Sequence, residues 1–192
     1  MKLRRWFGGA AFVAAVVLTG SHVLSQDEGA KRGEDEEARI KAMMETAAPS
    51  TFHDFLKPLA GSWKCSVKYW PAAGTKPHES IATMEKEWIL GGRFLKEEYK
   101  GTIFNNMPYA VFSMMGYDKA QRKYFNIHMD TLGTGFETSF GTCDDSRKVF
   151  TFTGEVRSSI EIVNNDKNIA RGFAMDPNGG EWMILEIIAT RK

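Results

Sequence analysis

From Ser62 to its end the chain alternates apolar and polar residues with a period of two. In Ser62 to Trp70, the residues Trp63, Cys65, Val67 and Tyr69 interleave with Ser62, Lys64, Ser66 and Lys68, the pattern of a strand with one buried face. Similar runs follow at 79–90, 93–104, 109–117, 122–130, 135–143, 147–154, 156–163, 168–175 and 181–190. Between them stand Gly91-Gly92, Asn105-Asn106, Asp118-Lys119, Gly133-Thr134-Gly135, Asp144-Asp145, Asn164-Asn165-Asp166 and Pro177-Asn178-Gly179-Gly180, which suit tight turns. Links this short join antiparallel strands, because parallel pairing needs long crossovers. A long meander loses its exposed edges most simply by closing on itself. The expectation is an all-β fold, an antiparallel meander of about ten strands closed into a barrel, with a two-sheet sandwich as the alternative. Barrels of eight to ten strands leave an interior large enough for one small ligand.

The rest of the chain supplies an address and a short cap. Lys2, Arg4 and Arg5 precede an apolar run from Trp6 to Leu18, and Val23 and Ser25 stand at −3 and −1 of a cut before Gln26. Residues 1–25 therefore read as a signal peptide, with an uncleaved anchor as the alternative, and predict a periplasmic or extracellular protein without stable membrane insertion after cleavage. No Cys follows the run to suggest a lipoprotein anchor. The whole chain carries 25 Lys+Arg against 24 Asp+Glu; without the leader the balance is 22 against 24, which disfavours nucleic acid as a partner. Residues 26–49 read as a charged linker or a short helix starting near Asp35. Thr51 is placed to cap a short helix in which Phe52, Phe55, Leu56 and Leu59 recur at helical spacing, ending near Gly61. The domain then runs over 50–192.

Gly61-Ser62-Trp63 at the opening of the first strand resembles the Gly-x-Trp of lipocalin and related calycin barrels, with Arg191 available to stack across the indole. The likeness extends through His53, Leu59-Ala60-Gly61-Ser62-Trp63, Leu90-Gly91-Gly92-Arg93-Phe94-Leu95, Gly116-Tyr117-Asp118, Lys123-Tyr124, Asp130, Gly141-Thr142 and Asp144. In order and spacing these are similar to domain-of-unknown-function family 1579, mostly exported bacterial proteins, over residues 50–192. The resemblance implies a calycin-like barrel and no established reaction. In that family a Trp commonly stands where this chain has His128, so a role for His128 is not implied by the family.

Interior chemistry should appear as polar residues on otherwise apolar strand faces. Arg171 shares parity with Ile169, Phe173 and Met175; Glu97 with Leu95, Tyr99 and Ile103; Glu186 with Ile184 and Ile188; His128 with Tyr124, Asn126 and Asp130. An inward Arg171 would meet the carboxylate or phosphate of a ligand, or else pair internally with Glu97 or Glu186. The expected ligand-binding set is Trp63, Glu97, Tyr124, Asn126, His128 and Arg171, for a small hydrophobic or amphipathic molecule. Two alternatives stand beside it. One is a hydrolase or isomerase with His128 and Asp130 as acid and base, the same face equally reading as solvated while Phe125, Ile127 and Met129 fill the core. The other is a solid barrel whose loop around Phe104, Met107 and Tyr109 meets a protein partner of unknown identity. His128 is also a residue type that ligates haem iron, but neither His53 nor His78 stands at a zinc-ligand spacing, and no metal or cofactor is expected. Cys65 and Cys143, the two cysteines of an exported chain, invite a disulfide, but their strands stand across the barrel, so two small buried thiols are the favoured expectation. No nucleophile elbow, Cys-x-x-Cys, His-Glu-x-x-His, P-loop or dinucleotide motif occurs, and the balance leans away from an enzyme.

Overall fold

A computed structural model of the chain describes residues 26–104, 106–176 and 179–192. The expected signal peptide lies outside the described residues, as do Asn105 and the Pro177-Asn178 pair of two predicted turns. Two compact units divide at Ala47.

The first unit is described by the helix α1 (Gln26–Ala47). It is longer than the linker or short helix expected from Asp35. Glu, Ala, Lys, Arg and Met are good helix formers, and the spacings Asp35 to Arg39 and Glu37 to Lys41 each set an acid four residues before a base, which adds helical support without an apolar stripe.

The second unit contains ten strands among the described residues. They are β1 (Gly61–Tyr69), β2 (His78–Ile89), β3 (Phe94–Ile103), β4 (Met107–Asp118), β5 (Lys123–Asp130), β6 (Glu137–Cys143), β7 (Val149–Thr153), β8 (Arg157–Asn164), β9 (Lys167–Met175) and β10 (Glu181–Arg191). Each lies within two residues of its predicted bounds. Every strand pairs antiparallel with its sequence neighbour, and β10 pairs with β1 to close the barrel, so the sandwich alternative does not form.

The expected capping helix is split. Ser50, not Thr51, is the N-cap of α2 (Thr51–Asp54), forming a reciprocal box in which its backbone N–H donates to His53 Nδ1 at 3.0 Å. Pro58 then restarts the chain as a 3₁₀ turn over Lys57–Leu59. This segment plugs one end of the barrel. Leu56 and Leu59 are fully buried in a cluster with Leu95, Met115, Tyr124, Phe150, Phe152 and Ile162, and the Tyr124 hydroxyl donates to Phe52 O at 2.9 Å.

Trp63 rests above that plug, fully buried, its indole N–H donating to Leu59 O at 3.0 Å. The Arg191 guanidinium stacks on the Trp63 ring at 4.3 Å, as expected, and donates to the carbonyls of Ala60 and Pro58 at 2.9 and 3.1 Å. Gly61 is required beneath it. Its φ is +123°, and a Cβ there would collide with the guanidinium, so the Gly of Gly-x-Trp clears the path by which Arg191 reaches the Trp.

Candidate functional site

Residues directly opposite in an antiparallel pair point to the same side of a sheet, so the barrel register divides every strand into inner and outer rows. Buried Trp63, Cys65, Met84, Leu95 and Tyr99 identify the inner row. Followed round the barrel, this row runs from Met84 to Tyr99, Val111 and Asp130, and from Glu97 to Ser113 and His128. Tyr124, Asn126, His128 and Asp130 therefore face inward. Phe125, Ile127 and Met129 take the outer face, which the alternation alone left open.

The inner row has a fully buried half and a half whose side chains keep partial exposure, the closed and open halves of the lumen. At the plugged end the inner side chains pack solid. Toward the opposite end, where β1, β3, β5, β7 and β9 finish, inward Tyr109, Val111, Leu185 and Ile187 are only partly buried against the core. The His128 and Asp130 side chains there keep 33% and 21% of their exposure. Inner positions of β9 are small, Ala170, Gly172 and Ala174, and the side chains of Ile184, Leu185 and Val156 stand within 4 Å of where a side chain on Gly172 would begin.

His128, Asp130 and Tyr109 form a connected group in this open half. His128 Nε2 lies 3.2 Å from Asp130 Oδ2, and the Tyr109 hydroxyl donates to the same oxygen at 2.9 Å. The Leu132 N–H donates to Asp130 Oδ1 at 2.8 Å. Burial works to raise the Asp130 carboxyl, but these donors outweigh it and hold the group below its ordinary value. Burial, with the bond to Asp130, pushes the Tyr109 hydroxyl up. Glu137 faces His128 across the β5–β6 register. With an ionised Asp130 as acceptor, a neutral His128 presents Nε2–H to it and keeps Nδ1 as its acceptor.

Deeper, Lys86 on β2 is an inward cation that the sequence reading missed, although it shares parity with Ala82, Met84 and Trp88. Its ammonium meets Glu97 Oε2 at 2.7 Å, with the Lys86 side chain 3% exposed. Cys65 lies near this pair and is a free thiol, as is Cys143; burial raises each to about 11. Asn126 Oδ1 and Asn168 Nδ2 are buried without a hydrogen-bond partner, and both belong to the inner row. Asn168 was also not foreseen, its neighbours in β9 having suggested the opposite face.

The expected binding set is thus divided. Glu97, Asn126 and His128 line the lumen with Asp130. Trp63 and Tyr124 face inward but belong to the closed half, the Tyr124 hydroxyl already engaged. The expectation of an inward Arg171 is corrected: it lies opposite Glu186 and Ser159 on the outer row. There it bonds to Glu186 and Glu161, each at 3.2 Å, so the pairing with Glu186 forms, but outside the barrel. Partial solvation makes that placement less costly than an interior one. The proposed loop patch is also divided, since Phe104 packs edge-on against Tyr69 at 5.0 Å and Met107 is exposed, whereas Tyr109 turns inward. A shallow groove of about 420 Å³ outside the plugged end, between Phe55, Pro58 and Asn165, is a weaker candidate. Its Asp54 pairs with Lys57, and Arg147 already sits over the Phe55 ring. Among the described residues, no group of three His, Cys, Asp or Glu is arranged to hold a metal ion.

A family model described as a protein of unknown function (DUF1579) matches residues 48–191. The crystal structure of Rv2717c from M. tuberculosis is similar at 14% identity, over 76% of this chain and 99% of its own, with a TM-score of 0.55; this likeness concerns the fold alone. A redesigned β-barrel at 11% identity covers 71% of this chain and 93% of its own, with a TM-score of 0.39. No curated protein matches the chain.

Proposed function

The chain belongs to the DUF1579 family of proteins of unknown function, so its barrel arrives without an established reaction, and we propose that it binds a small hydrophobic or amphipathic molecule in the open half of the lumen. The observation that carries this reading is the coexistence of accessible polar side chains, His128 and Asp130, with half-buried apolar walls above a sealed plug. Such pockets, largely apolar with a few convergent polar groups, are where small ligands bind. The unpartnered amide atoms of Asn126 and Asn168 support it, because native interiors rarely leave such groups unsatisfied. The signal-like residues 1–25 support export to the periplasm or beyond, and an N-terminus at Gln26 on the secreted protein would test that separately.

Native mass spectrometry of the protein purified from an exporting host, set against its denatured mass, tests the binding reading. A retained adduct that a His128→Leu variant loses is the expected result. A bare protein that also ignores added amines, alcohols, fatty acids, haemin and aromatic metabolites overturns it in favour of a solid interaction module.

One observation favours a second reading. His128 held by Asp130 at 3.2 Å is the orientation a general base requires, which suits a hydrolase or isomerase acting on the bound molecule. Undiminished turnover of the best substrate by His128→Ala would remove it.

A further inference from the structure

Resting on the lumen as a binding site, we propose that its ligand is an amphipathic molecule whose polar end is a cationic hydrogen-bond donor, such as a protonated amine, and not a carboxylate or phosphate. The inference follows from which charges on the inner row have no Lys or Arg beside them. Lys86 is neutralised by Glu97 at 2.7 Å. Arg191 lies at the plugged end, committed to the Trp63 ring and to backbone carbonyls. Arg171, the natural anchor for an anionic head, is on the outer face. Among the described residues, no Lys or Arg occupies an inner-row position in the open half, whereas Asp130 and Glu137 both do.

Two further groups ask for the same partner. His128 gives its Nε2–H to Asp130 and keeps Nδ1 as an acceptor. Asn126, next to it on the inner row, holds a buried Oδ1 that no donor reaches. An ammonium carries three donors and a positive charge, so it suits the acceptor-rich stretch from Asn126 to the two carboxylates; an anionic head would add a third negative charge beside them. Asn168, 3% exposed with an unpartnered Nδ2, stands opposite Ile162 and Ala189 in the closed half. The half-buried Val111, Leu185 and Ile187 offer apolar surface to the ligand body.

The test compares three probes with one tail, octylamine, octanol and octanoate, titrated calorimetrically into the full chain at pH 7.5. Octylamine is expected to bind about tenfold more tightly than octanol, with octanoate weakest, and Asp130→Asn to bring the amine within about threefold of the alcohol. Retained octanol binding shows that the variant is folded. If Asp130→Asn fails to fold, Glu137→Gln, at an exposed position, is expected to reduce the same preference. Octanoate binding as tightly as octylamine overturns the proposal and leaves the lumen site standing. So does an amine preference that neither substitution lowers. Failure of all three probes overturns the lumen site itself, and the inference with it.

Discussion

Replacing Tyr109 by Phe removes one of the donors that keep Asp130 ionised in a partly buried place. The expected result is a carboxyl that titrates closer to its ordinary value and a loss of about 1.5 kcal/mol, read by side-chain NMR titration and urea unfolding. An unchanged Asp130 titration would show that the Leu132 N–H and His128 suffice. His53 gives a residue-scale prediction of a different kind. It is 5% exposed in α2, and burial, aided by the Lys119 and Arg93 cations, lowers it from 6.5. The unfolded chain therefore takes up the proton first, so the neutral ring's contribution is complete above the unfolded value and is lost as the pH falls through the lowered one. Between pH 7 and 5 the melting temperature of the wild type should fall further than that of His53→Gln. Parallel melting curves over that range would contradict this.

At the scale of the element, β2 and β3 meet through the Lys86–Glu97 pair. Lys86→Met alone leaves a carboxylate facing the lumen without its cation and should cost about 3–5 kcal/mol, whereas Lys86→Met with Glu97→Leu should recover most of it. Chemical denaturation of the single and double variants separates the two, and a double variant no better than the single would contradict the account. The strands themselves were legible because a period of two, broken by turn residues, survives any error about which face is inner. The face was less legible. In β5 one side is Tyr124, Asn126, His128 and Asp130 and the other Phe125, Ile127 and Met129, and either side can fill a core until neighbouring strands fix the choice. In β9 the larger apolar residues Ile169 and Phe173 lie outside, and the inner row is Asn168, Ala170, Gly172 and Ala174. The inner row of β9 is made of small residues and one amide, so apolarity pointed the wrong way for Arg171. Lys86 escaped notice because a lysine in an apolar row reads as solvated until the facing Glu97 is known. The break of the capping segment at Pro58 was written in the residue type, yet the helical spacing of Phe52, Phe55, Leu56 and Leu59 pointed to one unbroken helix.

Across the whole molecule, nine of the ten strand pairings join sequence neighbours, and one, β1 with β10, joins the two ends of the domain. Closing that seam brings Trp63 beside Arg191 and Cys65 beside Ala189, contacts that come after the greatest loss of chain entropy. Ala189→Gly should therefore speed unfolding with little effect on the folding rate, whereas Val111→Ala in the β3–β4 hairpin should slow folding more. Stopped-flow refolding of both variants reads this, and a seam substitution that slows folding fully in proportion to its destabilisation would contradict it. The seam also makes the order of strands a cycle. Lys192 N–H reaches Ser62 O at 2.9 Å, so a permuted gene that links the segment after β10 to the one before Thr51, and opens the chain in the exposed 131–136 turn, retains every neighbour each strand now has. Where translation starts is then separable from what the barrel is.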